Sequence, residues 1–310
     1  MENVIGLRAV HNYALQYVWE KTSLLKKESR LHLKADVWLL LLTMIWGTSF
    51  SLVKTALHDI SPILFLAIRF WTGSLFMIPF LLRIKTKINK NHIMHGAVLG
   101  SFMFLGMVMQ TIGLKYTTAS KSGFITALTV IFVPILVVLI NRHLPKLNSL
   151  YGVILAASGI YFLTNPLVDG LNIGDIYTLI GAVCFAFQII FIEKLVQKDS
   201  ALIMAFFMVL FTAIFASIVS ALIETVFIEL SQKLILATLG VALFSTAIGF
   251  SIQTRWQPQT SATSAAVIFT MEPVFAFIFA AIFLNERLTW LGMAGGALIL
   301  GGTLVSELKE

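Results

Sequence analysis

ALIMAFFMVLFTAIFASIVSALI, residues 201–223, contains no Asp, Glu, Lys or Arg. A helix of about 20 apolar residues spans the ~30 Å hydrocarbon core of a bilayer. Inside lipid the backbone must satisfy its own hydrogen bonds, so a run of this length and composition reads as a transmembrane helix. Working outward in both directions, similar runs fall between charged or proline-marked gaps. They give ten spans, near 37–57, 61–83, 93–114, 118–140, 147–164, 175–197, 201–223, 233–252, 262–284 and 288–306. Pro62, Pro145, Pro166 and Pro258 sit at or beside span ends, where a missing N–H is tolerated. The 310 residues are 58% hydrophobic and 12% charged, with a mean hydropathy of +0.91, which a soluble domain of this size cannot bury. The fold class is therefore an all-α integral membrane protein of ten transmembrane helices.

The formal charge of +7 does not point to nucleic acid, because the basic residues lie in alternate connections rather than on one patch. With a cytoplasmic N-terminus, the inner segments hold Arg83, Lys85, Lys87, Lys90, Arg142, Lys146, Lys194, Lys198, Arg255 and Lys309, besides the basic residues of the first 35 positions. The outer segments hold Lys115, Lys121, Lys233 and Arg287, with Lys54 near an outer span end. The positive-inside rule then puts both termini in the cytoplasm of a multi-pass protein of the cell (plasma or inner) membrane. Residues 1–35 lack the apolar core of a signal peptide and form a polar extension. Two readings fit it, an amphipathic surface helix and a disordered tail. Cys184 is the single cysteine, so no intrachain disulfide is expected.

Two landmarks recur at one offset. Asp36 and Asp175 open the first and sixth spans, and Pro134 and Pro273 interrupt the fourth and ninth; 175 − 36 and 273 − 134 both equal 139. Five spans per half is an odd number, so the halves enter the membrane in opposite senses. The expected organisation is two inverted five-helix repeats, residues 36–165 and 173–307, of the kind that builds alternating access around a midplane site.

The polar residues inside the spans are the candidate site. Arg69 lies about 12 Å into the second span at about 1.5 Å per residue, too deep to snorkel. A lone charge there costs at least about 2.5–3.5 kcal/mol, so an inward orientation with a partner or water is expected. Glu272 lies near the middle of the ninth span, directly before Pro273, where freed carbonyls and a carboxylate would meet. Arg69, Glu272 and Pro273 are expected to gate or couple transport, with a proton as the coupling ion. The competing reading is an Arg69–Glu272 ion pair that only ties helices together. Trp46, Ser49, Gln110 and Gln188 offer stacking and hydrogen-bonding groups to a substrate. Lys121, beside Ser120, Ser122 and Thr126, either lines an external vestibule or snorkels to the surface. Gly96-x-x-x-Gly100 and Gly292-x-x-x-Gly296 permit close helix approach, within the chain or in a homodimer; a monomer and a homodimer both fit.

Enzyme chemistry has little to stand on. The sequence holds no HExxH, GxSxG or Walker loop, and His92-x-x-His95 lacks a third metal ligand in sight. No cofactor is implied, and without an ATPase motif uphill transport must draw on an ion or solute gradient.

Ile45-Trp46-Gly47-Thr48-Ser49-Phe50, Ala67-Ile68-Arg69-Phe70, Tyr116-Thr117-Thr118-Ala119, Met271-Glu272-Pro273-Val274-Phe275 and Asn285-Glu286-Arg287-Leu288-Thr289 together resemble the drug/metabolite transporter superfamily, EamA type. The resemblance covers about residues 36–307. It implies two tandem five-helix repeats around a central cavity, moving amino acids, metabolites or drugs. The family's Glu-Pro element maps onto Glu272 and Pro273, whereas the first half has Val133 before Pro134, so the halves do not carry a symmetric pair of acids. Few deep cations favour a neutral or zwitterionic solute as the small-molecule partner, with membrane lipids around it. An organic-phosphate or nucleotide-sugar exchanger, and a non-transporting scaffold or sensor, are the alternatives.

Overall fold

The structure is a computed structural model that describes residues 31–142, 145–164, 172–196, 200–284 and 290–307. Most of the N-terminal extension and the Asn285–Thr289 motif lie outside the described residues. Among the described residues, eight helical stretches are long and apolar enough to cross a membrane, and two shorter apolar helices, Leu147–Phe162 and Met293–Ser306, accompany them. The protein is thus an all-helical, multi-pass membrane protein.

Helix α1 covers Leu31–Ala56, α2 Pro62–Leu81 and α3 Lys90–Tyr116. The fourth apolar run is split into α4 (Ala119–Ala127) and α5 (Thr129–Asn141). Helices α6 (Leu147–Thr164), α7 (Ile173–Leu195) and α8 (Ala201–Ile223) follow unbroken. The next run is α9 (Gln232–Gly240), a π-helical stretch Val241–Ile248, then α10 (Gly249–Trp256). A further split run, α11 (Ala262–Phe269) and α12 (Met271–Leu284), precedes α13 (Trp290–Glu307).

Local chemistry sets many of these boundaries. Asn89 and Asn172 open α3 and α7 with reciprocal capping boxes, through His92 and Asp175 respectively. His92 therefore serves as a cap, its Nδ1 accepting from Asn89 N, and no group of metal-ligating side chains occurs among the described residues. Thr118, Ser231 and Ser261 cap α4, α9 and α11. Pro62 occupies the first turn of α2, and the remaining N–H groups of Ile63 and Leu64 donate to the Glu224 carboxylate at 2.9 and 2.8 Å.

The breaks differ from the expectation that proline makes them. Pro134 lies within a continuous α5, and the fourth run breaks earlier, at Leu128. Pro273 sits in the first turn of α12, where its missing N–H is harmless, and that run breaks at Thr270. In each run a threonine hydroxyl folds back near the break: Thr129 Oγ1 donates to Thr126 O at 2.5 Å and Thr270 Oγ1 to Val267 O at 2.6 Å. Such back-bonding competes with the regular helical ladder.

Glycines bring the helices close. An added methyl at Gly181 would lie 2.9 Å from Gly106 O, and one at Gly174 would lie 2.5 Å from Gly113 O, so α3 and α7 touch backbone to backbone along an antiparallel seam. Gly152 and Gly302 make a comparable contact between α6 and α13. The Gly96-x-x-x-Gly100 pair packs on Phe207 and Phe211 of α8, an intramolecular use of the motif. Large apolar side chains such as Leu82, Leu139, Leu222 and Trp290 are exposed on the outside, as lipid-facing residues are.

Candidate functional site

Between these seams lies a cavity with an empty volume of about 810 Å³, counting its open mouth. Its walls come from α1, α2, α3, α4, α5 and from α7, the π-helical stretch, α10, α11 and α12.

The wall built on Trp46 shows how the fold shapes the site. The indole packs on Phe250 and Phe269, with ring centroids 5.6 and 5.5 Å apart. Its Nε1–H donates to Ser245 O at 3.1 Å, inside the π-helical stretch, where the widened turn changes the hydrogen-bonding register. Gly249 makes this approach possible, because a methyl there would sit 2.9 Å from Trp46 Nε1. One residue along, Gly47 faces α12, and a methyl at Gly47 would lie 2.8 Å from Glu272 O. Helix α1 is therefore wedged between the π-helical stretch and the start of α12.

Arg69 is buried on the α2 wall. Its Nε donates to Thr246 Oγ1 at 2.9 Å and its Nη2 to Ser245 Oγ at 3.1 Å, and the guanidinium lies 5.2 Å from the Phe70 ring centre. Gly73, one turn further along α2, permits the close contact, since a methyl there would lie 2.7 Å from the Thr246 side chain. Glu272 lines the same cavity from α12. No ion pair joins Arg69 to Glu272, so the expected charge pair is not formed: two hydroxyls on the π-helical stretch take the guanidinium instead. Among the described residues the Glu272 carboxylate has no hydrogen-bonding or ionic partner.

The amides occupy the other walls. Gln110 Nε2 donates to Thr126 Oγ1 at 2.8 Å. Gln188 Nε2 donates to Gln253 Oε1 at 3.1 Å, Gln253 Nε2 to Gln257 Oε1 at 3.0 Å, and Gln257 Nε2 to Ile189 O at 2.7 Å. This amide chain links α7 to α10, and Gln188 and Gln253 line the cavity. Ser49 turns its hydroxyl back to Trp46 O at 2.7 Å.

Lys121 is placed differently from both expectations. It neither lines the cavity nor snorkels; it is buried and paired with Asp175 at 2.8 Å. Thr117 Oγ1 donates to the same carboxylate at 2.8 Å, and Lys54 Nζ donates to Leu114 O and Thr117 O at 2.5 and 2.8 Å. Pro273 is buried and is not among the residues that line the cavity. Trp46, Ser49, Arg69, Gln110, Gln188 and Glu272 do share the cavity. The sequence reading missed Phe50, Met103, Met107, Phe185 and Ser245, which are among the other residues of the lining. The adjacent hydroxyls of Ser245 and Thr246 inside an apolar run were the one available signal.

The EamA-like transporter family model matches residues 33–165 and again 172–308. A protein of Archaeoglobus fulgidus named as an uncharacterized transporter is 35% identical over 277 residues, covering 89% of this chain and 87% of that one. A probable amino-acid metabolite efflux pump of Salmonella typhimurium is 25% identical, covering 86% of this chain and 92% of its own length. A solved crystal structure superposes with a TM-score of 0.73 at 16% identity, over 89% of this chain and 98% of that one, a likeness of fold.

Proposed function

The chain belongs to the EamA-like transporter family of the drug/metabolite transporter superfamily, and on that premise we propose that it is a secondary transporter for a small neutral or zwitterionic metabolite, amino acid or drug. It works by alternating access between two inverted five-helix halves, ten spans in all, with both termini in the cytoplasm of the cell membrane.

The observation that carries this reading is the shared cavity. Each half contributes walls, from Trp46 to Thr129 on one side and from Phe185 to Glu272 on the other, so rocking the halves would expose the same residues to opposite faces. The lining supports a solute of low net charge, since among the described residues Arg69 and Glu272 are its only ionisable acid and base and they are of opposite type. A multiply charged organic phosphate would meet one arginine with two donors already engaged and one opposing carboxylate. The name of the Salmonella relative agrees with an amino-acid-like cargo.

Glu272 is the coupling group in this proposal, binding and releasing a proton as the cavity changes sides. Proteoliposomes holding the purified chain test it by uptake of a panel of metabolites with and without a pH gradient. Wild type should concentrate a cargo when the gradient is imposed, and Glu272→Gln should retain exchange but lose the response to pH. Uptake by the variant with unchanged pH dependence would remove the coupling role.

A further inference from the structure

Helices α2 and α3 are joined by Leu82-Arg83-Ile84-Lys85-Thr86-Lys87-Ile88-Asn89, and α3 opens on Lys90. Arg83, Lys85, Lys87 and Lys90 are exposed, and none is in an ion pair with a described residue. No Asp or Glu occurs between Asp59 and Asp169, so nothing along this part of the chain offsets the four charges. The α7–α8 connection, by contrast, sets Glu193 and Asp199 beside Lys194 and Lys198. Membrane topology asks for bases on one side of the bilayer; it does not ask for them undiluted. Leu82 and Ile88 are 80% and 49% exposed among these bases, so the loop offers apolar side chains to hydrocarbon while its cations reach the headgroup layer.

A second feature lies on the face of α3 that begins at Lys90. Met94, Val98, Ser101 and Leu105 follow at spacings of three or four residues and form one stripe along the helix. Met94, Val98 and Leu105 are exposed. The stripe ends in a notch between α3 and α8, lined by Ser101, Phe104, Leu105, Phe215, Ile218 and Val219. The Phe104 and Phe215 rings wall it with centroids 5.9 Å apart, and Ser101 turns its hydroxyl back to Ala97 O at 2.9 Å, which leaves an apolar lining. Ser101 lies 101 − 90 = 11 residues beyond Lys90, about 16 Å along the axis. Half of a ~30 Å hydrocarbon core is about 15 Å, so the notch sits at the depth where an acyl chain of one leaflet ends.

We propose that an anionic glycerophospholipid occupies this site, its phosphate held by Arg83, Lys85, Lys87 and Lys90 and one acyl chain running along Met94 and Val98 into the Phe104–Phe215 notch. Lys and Arg gathered next to a transmembrane helix attract anionic headgroups. Charge complementarity selects the headgroup, and the distance from loop to notch selects the chain. The notch shares no residue with the cavity lining, so the proposal requires only that the chain spans a membrane. Helix α3 belongs to the first family match and α8 to the second, so the lipid lies across a seam between the repeats.

The test is native mass spectrometry of the full chain, stripped of lipid in detergent and titrated with four probes: palmitoyl-oleoyl phosphatidylglycerol, palmitoyl-oleoyl phosphatidylcholine, dihexanoyl phosphatidylglycerol and glycerol phosphate. Wild type should bind the long-chain phosphatidylglycerol at least about tenfold more tightly than phosphatidylcholine, because several basic groups act on its headgroup. It should also prefer that lipid to the short-chain form and to glycerol phosphate. Lys85→Gln with Lys87→Gln should lose most of the headgroup preference and keep the preference for long chains, whereas Lys85→Arg with Lys87→Arg should keep both. Ile218→Trp, a larger ring at a half-exposed position of the notch, should do the reverse of the glutamine pair. A general folding defect cannot produce that crossed pattern. Lys115→Gln with Lys233→Gln removes two exposed cations elsewhere and should leave both preferences unchanged. Four results overturn the proposal: equal wild-type affinity for the two headgroups, a loss in this control pair as large as in the loop pair, an unchanged chain preference in Ile218→Trp, or glycerol phosphate bound as tightly as the lipid.

Discussion

Lys121 in the first turn of α4 and Asp175 in the first turn of α7 meet at 2.8 Å with side chains 10% and 2% exposed. Thr117 and Lys54 extend the contact into a polar cluster that joins α1, α3, α4 and α7 at the Leu114 end of the cavity. The cluster ties down the N-terminal piece of a span that breaks at Leu128. Removing one partner strands the other charge away from water, at a cost of about 3–5 kcal/mol. Asp175→Ala should therefore lower the melting temperature sharply in detergent, and Lys121→Met combined with Asp175→Leu should recover most of the loss. A cysteine at Leu114, placed in a Cys184→Ala background, should react faster with a membrane-impermeant thiol reagent once the pair is broken. Unchanged labelling would mean that the pair does not close that end.

Helices α7 and α10 are joined by neutral groups. Gln253→Leu removes the middle of the chain from Gln188 to Gln257 and leaves buried amide atoms without partners, each costing about 1–3 kcal/mol. Its stability should fall by that order. Ionic strength should leave this variant's opening unaffected, because no charge was removed.

The wedge of α1 gives a steric prediction. Gly47→Ala places a methyl 2.8 Å from Glu272 O and 2.9 Å from Ala276 N, both backbone atoms that yield only if a helix moves. Overpacking of this kind costs about 1–3 kcal/mol, and uptake should fall with it because Trp46 and Glu272 both shift. Gly301→Ala, where nothing lies within 4 Å, is the control and should leave melting temperature and uptake as in wild type.

Helix α2 offers a test of stability separated from transport. Glu224 accepts from Ile63 N and Leu64 N and is not among the residues that line the cavity. Glu224→Ala should cost about 1 kcal/mol and speed hydrogen exchange at Ile63 and Leu64, with little change in apparent affinity for cargo. A large loss of affinity would show that this cap also holds Arg69 in place.

The apolar runs were legible because lipid demands length and hydrophobicity, and residues 201–223 emerge as one helix with no correction. The breaks were not. Residues 118–140 read as a continuous apolar run, and the proline within it drew attention six positions past the real discontinuity at Leu128. The six cavity residues were found because polar side chains inside a span must face protein or water. Their partners were hidden, since helical position does not reveal which neighbour arrives from elsewhere in the chain. Lys121 is answered by Asp175, 54 positions later, and Arg69 by hydroxyls at 245 and 246 rather than by the acid at 272. The apolar lining was equally hidden: among 25 phenylalanines, pattern alone does not single out Phe50 or Phe185.

The glycine seam of α3 with α7 bears on how the chain comes to be assembled. Gly106 and Gly113 belong to the first family match and Gly174 and Gly181 to the second, so the tightest backbone contacts cross the join between repeats. A fragment ending near residue 165 would carry a notch with nothing to fill it. Two fragments made separately in the same cell should find one another through those notches, while either made alone should be degraded. The two family matches thus share a seam that neither completes alone.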